Sequence, residues 1–387
     1  MPDKFDVIVI GVGTMGVPAC LYLAQRGLKV LGIEQFDIPN DHASHSGYTR
    51  IIRKAYYEHP DYVPLLIRSY ELWKELEYNS GIKLYHETGI LYLGEESSPV
   101  LQGCLESSRL YQIPVESWSR SKTKEKFPHF QYPEDWISLW EPEAGYLHVN
   151  ESIQSFYKAA LQQGASFQTN EKVEAWTQTE NGIEVKTDKG FYLAHKIIFT
   201  SGSWTQDHLP NHKLPLTVTR QMLAWLDMSN SAYYSSPHFP CWFVHDPEKG
   251  MYYGFPDSNL KNQAEPPGIK IGLHVRGELT SPSTIERSIG NEDEKIVDLF
   301  IERYFPQGQG VQRSYKTCMY TNTPDENFIL DYLHDTNQQV VLACGFSGHG
   351  FKFAPVIGEL LAQMVCNESS DLNIDFLRLN RFNHSTL

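Results

Sequence analysis

Residues 5–37 constrain the fold of this chain more than any other segment. Asp6–Ile10 is a short apolar run rich in β-branched residues, which is typical of a strand buried in a parallel sheet. A glycine turn and a predicted helix beginning near Thr14 follow, and Leu28–Ile33 predicts a second strand. A strand, a glycine turn, a helix and a strand in one unit indicate that this segment binds a dinucleotide.

The residues of the turn suit that role. Gly11 permits a tight bend, Gly13 lets the backbone approach a pyrophosphate, and Gly16 lets the helix pack closely on the strand. The N-terminus of the helix attracts phosphate through its unpaired N–H groups and its dipole. Glu34 follows the second strand, where a carboxylate can accept hydrogen bonds from a ribose.

Length and composition set broad limits on the protein. A chain of 387 residues favours two domains, or one large α/β body with insertions, and no apolar run approaches the ~18 residues of a membrane span. We expect no membrane span and no signal peptide, and therefore a cytoplasmic protein. A net charge of −14 argues against binding to nucleic acid. The six cysteines are scattered without CxxC spacing, so we predict no metal site and no disulfide framework.

The pattern of strands and helices predicts an α/β protein with two discontinuous domains. The dinucleotide-binding domain is predicted over residues 1–85, 146–214 and 322–387. An α+β substrate domain is predicted over 86–145 and 215–321, with antiparallel strands near 215–225, 242–244, 251–255 and 269–275. We expect Phe127–Trp140 to form loops.

Near the end of the chain the strand, glycine turn and helix arrangement returns. Val340–Cys344 predicts a strand, GFSGHG a turn, and Ala354–Val365 an apolar helix. Lys352 stands just before this helix, where a cation opposes the helix dipole. A functional lysine and a lysine that extends to solvent over the helix end explain this equally well.

Arg50 and Arg53 are three residues apart. In a helical turn they would share a face and could bind one anion. Spacing alone favours the more common alternative, two surface arginines in salt bridges.

Three further segments carry candidate residues. On a predicted strand, Lys270 and His274 share a face, which an exposed sheet surface explains equally well. Tyr253 is more often a packing residue than a ligand. Cys318 could be a buried small hydrophobe, or a thiol whose thiolate is favoured by Lys316 nearby.

Five segments together resemble one family of enzymes. SHSGYTRIIRKAY, YYGFP, KIGLH, KTCMYTNTPDENFILD and GFSGHGFKF are similar in order and spacing to segments of the family of monomeric sarcosine oxidase and N-methyltryptophan oxidase. The resemblance covers nearly the whole chain. It implies a Rossmann-like domain that binds FAD rather than NAD, and an antiparallel sheet that covers the flavin.

The resemblance also implies roles for individual residues. Cys318 would carry FAD through a thioether at the flavin 8α position, while Arg53 and Lys352 would bind the substrate carboxylate. Arg50 and Lys270 would lie near flavin N5, with Lys270 acting on dioxygen. The expected catalytic residues are Arg50, Tyr253, Lys270, His274 and Tyr320. The expected FAD-binding residues are Gly11, Gly13, Thr14, Met15, Gly16, Glu34, His45, Thr49, Arg50, Val173, Gly202, Cys318, Gly345, Gly348, Gly350 and Lys352.

These roles imply a monomeric oxidase of N-methyl amino acids. Hydride transfer to the flavin and reoxidation by O2 would give an amino acid, an aldehyde and H2O2. Alternatives are a flavin dehydrogenase, an oxidase of cyclic imino acids such as proline or pipecolate, and a non-catalytic flavin-binding sensor. Tyr57 and His59 replace glycines that are frequent in the family, and the loop 257–268 is longer, so the substrate stays open.

Overall fold

The structure is a computed structural model that describes residues 4–228, 232–258 and 265–382. Residues 259–264, half of the long loop 257–268, lie outside the described residues. The helices are α1 (Gly16–Gln25), α2 (Tyr62–Ser80), α3 (Pro99–Tyr111), α4 (Arg120–Lys126), α5 (Val149–Gln162), α6 (Thr205–His208), α7 (Asn291–Tyr304) and α8 (Ala354–Cys366). No helix in these described ranges is both long and apolar enough to cross a membrane.

The strands alternate with these helices along the chain. In order they are β1 (Lys4–Ile10), β2 (Val30–Ile33), β3 (Thr49–Ile52), β4 (Tyr85–Glu87), β5 (Ile90–Gly94), β6 (Glu116–Trp118), β7 (Ile137–Glu141), β8 (Gly145–His148), β9 (Ser166–Gln168), β10 (Val173–Thr179), β11 (Gly182–Thr187), β12 (Phe191–Phe199), β13 (Thr217–Leu226), β14 (Cys241–Asp246), β15 (Gly250–Phe255), β16 (Ile269–His274), β17 (Arg313–Asn322), β18 (Ile329–Tyr332) and β19 (Val340–Cys344).

The first large sheet contains the predicted dinucleotide-binding unit. Its order is β10-β11-β12-β1-β2-β9, and β19 pairs with the second half of β12 and with β18. β1 runs parallel to β2 and β12. Because β1 and β2 are largely buried, their apolar runs match those of a parallel sheet covered on both faces. All strands of this sheet lie in residues 1–85, 146–214 or 322–387.

The second large sheet has the order β17-β13-β16-β15-β14-β5-β7-β6. Its pairs are antiparallel except for β5 with β14. The small third sheet, β3-β8-β4, joins segments on both sides of the boundary at residue 85. The α/β fold class is confirmed, whereas the division into two domains stays a prediction.

The first unit shows why helix α1 tolerates a proline. The helix was expected near Thr14 but begins at Gly16, because the preceding residues form the turn. Pro18 therefore lies in the first helical turn, where its missing N–H costs no hydrogen bond. It packs against Gly358 of α8, where an added Cβ would lie 2.5 Å from the Pro18 Cβ.

Two local predictions were wrong. Thr49–Ile52 is a strand rather than a helical turn, and it pairs with β8. The loop predicted over residues 127–140 contains the start of β7, where Trp140 stacks on Trp118 at 4.9 Å between ring centroids. In both segments, pairing with a distant strand decides the local conformation.

Candidate functional site

A cavity between the first and second large sheets collects most of the predicted site residues. It extends from the β1–α1 turn to side chains of β15, β16 and β17. All predicted site residues line it except Gly16, Thr49 and Lys270, which lie behind its wall. The segments that form this cavity come from both ends and the middle of the chain.

At one end of the cavity, the glycine turn leaves space for a ligand. Gly11 has a φ of +86°, and an added Cβ would lie 2.5 Å from the Ser201 Cα, so a side chain is excluded by the protein itself. Gly13 is different, because an added Cβ would approach only the His45 ring, at 3.6 Å. The protein itself therefore leaves room for a side chain at Gly13. A glycine at this position fits the close approach of a pyrophosphate to the backbone.

Two side chains beside this turn offer polar atoms. The Glu34 carboxylate accepts hydrogen bonds from Val12 N at 2.9 Å and Phe36 N at 3.2 Å. Burial raises the pKa of Glu34 to about 7. His45 Nδ1 lies 3.1 Å from Thr14 Oγ1, while its buried Nε2 has no hydrogen-bond partner among the described residues. The cradle at Gly13 and the free His45 nitrogen fit FAD.

At the other end, Arg53 forms a buried ion pair. Its guanidinium is 2.6 and 2.7 Å from the two carboxylate oxygens of Glu58 and donates to Ala55 O at 2.7 Å. Arg53 is 1% exposed, so the surface alternative is wrong for it. Burial alone would raise the pKa of Glu58, but Arg53 lowers it to about 2. The pair is therefore charged at neutral pH.

Lys352 lies beside this pair rather than in solvent. It is 5% exposed, and Nζ donates to His349 O at 2.7 Å and lies 3.4 Å from Tyr56 Oη. Burial and the Arg53 charge lower the pKa of Lys352 to about 7. Arg53 and Lys352 both face the Tyr56 ring, at 4.3 and 5.2 Å from its centroid. The alternative of a lysine extending to solvent is wrong.

Arg50 points back onto its own loop. Its guanidinium donates to Ser46 O at 2.5 Å, Thr49 O at 2.8 Å and Ser44 O at 3.1 Å. These contacts fix the side chain on the cavity wall, although Arg50 does not share a helical face with Arg53.

Lys270 is buried next to the same loop. Nζ donates to Gly47 O at 2.8 Å, to Thr49 O at 2.7 Å and to Thr49 Oγ1. It also lies 3.8 Å from the centroid of Phe255, whose side chain lines the cavity. Burial and Arg50 lower the pKa of Lys270 well below its usual value. Because Lys270 is 1% exposed, the alternative of an exposed sheet face is wrong.

The remaining predicted residues form the wall on the second sheet. Cys318 is 2% exposed, and burial raises the pKa of its thiol while Arg50 and Lys270 oppose that rise. Tyr253 and Tyr320 bring their hydroxyls to 3.4 Å. His274 packs against Tyr320 at 5.6 Å between ring centroids. The neighbours of the thiol are thus cationic and aromatic.

The sequence analysis missed several residues of the site. Glu58 could have been noticed in the sequence as an acidic residue close to Arg50 and Arg53. Its ion pair with Arg53, however, depends on how the loop after β3 folds. His349, which holds Tyr56 by a 2.6 Å hydrogen bond, is indistinguishable from other loop histidines in sequence. Phe243 contributes to the cavity from β14. Tyr57 lines the cavity near Phe243, with ring centroids 6.4 Å apart. His59 instead stacks on Phe376.

Comparison with known proteins defines the class. The FAD dependent oxidoreductase family model matches residues 6–364, so the chain belongs to this family of FAD-dependent enzymes. The expected use of FAD is thereby confirmed.

Relatives define the type of enzyme more closely. The chain is 36% identical over 386 residues to monomeric sarcosine oxidase of Bacillus sp. (strain NS-129), covering 98% of each chain. It is 35% identical over 379 residues to N-methyl-L-tryptophan oxidase of Yersinia pestis (strain Pestoides F), covering 98% of this chain and 99% of that one. The predicted resemblance and the class of oxidoreductase, acting on CH–NH groups, are confirmed.

Solved structures agree with the fold. L-proline dehydrogenase from P. horikoshii is similar with a TM-score of 0.85 and 23% identity, covering 100% of both chains. NikD, an unusual amino acid oxidase essential for nikkomycin biosynthesis, has a TM-score of 0.82 and 22% identity, covering 97% of both chains. At these identities the likeness shows the fold alone.

Proposed function

We propose that the protein oxidises the C–N bond of an N-methyl or other secondary α-amino acid and passes the electrons to O2. The oxidation gives an imine and H2O2, and the imine takes up water to give an amino acid and an aldehyde. The observation that carries this proposal is a buried excess of positive charge. Arg53 and Lys352 lie on the same side of the cavity, where Glu58 supplies one negative charge against these two cations and forms its ion pair with Arg53. A substrate carboxylate supplies the missing negative charge.

The same charges select the reactive form of the amine. Hydride loss requires a neutral amine nitrogen, and the cations that hold the carboxylate disfavour an ammonium beside them. Phe243, 5.1 Å from the Arg53 guanidinium carbon at its ring centroid, lines the same cavity as Met251 and Tyr253, and these side chains offer apolar surface for the N-alkyl group. Binding of the carboxylate at one fixed point orients the rest of the substrate.

When bound, FAD accepts a hydride from the substrate carbon and returns electrons to O2. We propose that Cys318 bonds covalently to the flavin, because its thiol lies in the cavity wall, where the charges of Arg50 and Lys270 favour the thiolate. The S–C bond would replace the thiol S–H bond and a C–H bond at the flavin 8α carbon, and the two electrons released would pass through the flavin to O2. We also propose that the Lys270 ammonium stabilises the negative charge that develops on oxygen. The catalytic and binding roles of the other predicted residues, the monomeric state and the cytoplasmic location stay predictions.

An aerobic screen of sarcosine, N-methyltryptophan, proline and pipecolate tests the reaction. We expect H2O2 with at least one N-methyl amino acid, and anaerobic bleaching of the flavin by the same compound. Arg53→Met should weaken its binding, whereas the matched Arg26→Met, which removes a partly exposed pair with Glu368, should not. If the flavin is bleached but no H2O2 forms in air, the protein is a dehydrogenase. If only proline or pipecolate is oxidised, it is an oxidase of cyclic imino acids. If no compound bleaches the flavin, it is a non-catalytic flavin-binding protein.

A further inference from the structure

The small third sheet carries a row of histidine and tyrosine side chains on one face. His148 lies opposite Thr49, and Tyr146 lies opposite both Ile51 and His86. Residues directly opposite in antiparallel strands point to the same side of the sheet. The ring centroids are 4.5 Å apart for His86 and His148, 5.3 Å for Tyr146 and His148, and 4.9 Å for the stacked His86 and Tyr146.

One end of this row meets Lys270. The Thr49 side chain, next to His148, accepts a hydrogen bond from Lys270 Nζ through Oγ1. Burial, His86 and Lys270 together lower the pKa of His148 to about 3. His148 is therefore a neutral imidazole at neutral pH, which can accept a proton on one nitrogen and release one from the other.

The row also contains polar atoms that the protein does not satisfy. His148 is 1% exposed, yet neither ring nitrogen has a hydrogen-bond partner among the described residues, and the same holds for His86 Nε2. Buried polar atoms are normally satisfied by protein groups or by water, so this face suits bound water. His86 is only partly buried, and the row therefore extends from Lys270 towards solvent.

Few other charges face this row. At the solvent-facing end of the row, the charge of Lys83 lowers the pKa of His86 and the charge of Glu77 raises it. The charge of Glu265 raises the pKa of both Tyr146 and Lys270, and the charge of Asp257 raises the pKa of Tyr146. These acids act on the neighbours of His148, whereas the pKa of His148 itself is lowered by the charges of His86 and Lys270.

We propose that Thr49, His148 and His86 form a proton relay that reprotonates Lys270 during the reduction of O2, a role that rests on the proposed oxidase function. Forming H2O2 takes two electrons and two protons. A two-electron-reduced flavin would supply both electrons and one proton, and the protonated form of Lys270 would supply the other proton. The neutral amine of Lys270 then takes a proton from solvent through His148, His86 and water bound between them.

A kinetic test uses the variant His148→Ala. The matched control is His245→Ala, because His245 lies outside both the cavity and the relay. After anaerobic reduction by substrate, we expect reoxidation by O2 to be about 10²-fold slower in His148→Ala, a typical contribution of proton transfer. Added imidazole should restore the rate, and the reductive half-reaction should be unchanged. Unchanged reoxidation, or slow reoxidation that imidazole does not restore, overturns the relay.

A second test does not need turnover. In protein labelled with ¹⁵N-histidine, the ring nitrogen resonances of His148 should shift in Lys270→Met and stay in place in His245→Ala. No response of His148 to the loss of Lys270 overturns the relay even if the kinetics agree. If O2 fails to reoxidise the wild-type flavin, the proposed oxidase function has failed, and the resonance test still decides whether His148 and Lys270 are coupled.

Discussion

Replacing Lys352 by methionine should weaken the binding of carboxylates and remove a pH dependence. In the structure, the Lys352 ammonium is buried beside Arg53 and hydrogen-bonded to His349 O at 2.7 Å. A charge-assisted hydrogen bond from this ammonium to a bound carboxylate contributes about 1.5–3 kcal/mol to binding. The loss of that bond in Lys352→Met therefore corresponds to a rise of about 10- to 150-fold in the Kd of the carboxylate. Binding should be weakened and not abolished, because Arg53 remains.

The pH dependence follows from the lowered pKa. Burial and Arg53 lower the pKa of Lys352 from 10.5 to about 7, so the ammonium is the main form only below that pH. An anion binds the protonated form better and raises its pKa. For the wild type, Kd should stay constant below about pH 7 and rise about tenfold per pH unit above it, until the total rise reaches the effect of about 10- to 150-fold expected for Lys352→Met. In Lys352→Met this rise should disappear.

Titration with propionate, followed by the visible absorbance of the flavin, measures this Kd between pH 6 and pH 9. Propionate has no amine, so the pH dependence of the ligand does not enter. Lys316→Met is the matched control, because Lys316 pairs with Asp41 and does not line the cavity. The reasoning is refuted if Lys352→Met keeps the wild-type dependence, or if propionamide shows the same dependence as propionate.

Three further variants test separate parts of the site. Cys318→Ala should release its flavin into the supernatant on acid precipitation while the wild type retains it; release from the wild type rejects the covalent bond. Lys270→Met should slow reoxidation by O2 at least tenfold more than reduction by substrate, as measured by stopped flow, since a general acid contributes about 10²–10⁴-fold; equal slowing of both steps contradicts its role. Gly13→Val should weaken FAD binding, measured by flavin content, without lowering the unfolding temperature of the flavin-free protein. Gly190→Ala, where a Cβ meets nothing within 4 Å, is its control, and equal flavin content in the two rejects the cradle.

The part of the fold predicted best depends on local sequence. β1, the glycine turn, α1 and β2 are consecutive, and each carries its own pattern of apolar residues or glycines. β12 depends less on local sequence, because its first half is partly exposed and is stabilised by pairing with β11. The strand at Thr49–Ile52 had a usable signal in its β-branched residues, but the spacing of the two arginines was interpreted as helical.

The site was harder to predict, because its chemistry depends on how charges are paired across segments. Arg53 and Lys352 both stand in apolar segments of the sequence, and nothing local distinguishes them. Arg53 has a carboxylate partner in Glu58, whereas within the described part of the chain Lys352 has only neutral oxygens as partners. Burying a cation without a counter-ion is costly, and for this reason the pKa of Lys352 is lowered. The pKa of Glu58 is not raised, because the Arg53 charge lies beside its carboxylate. An anionic ligand removes this cost, and on this ground we propose that the incompletely paired lysine makes the cavity selective for carboxylates.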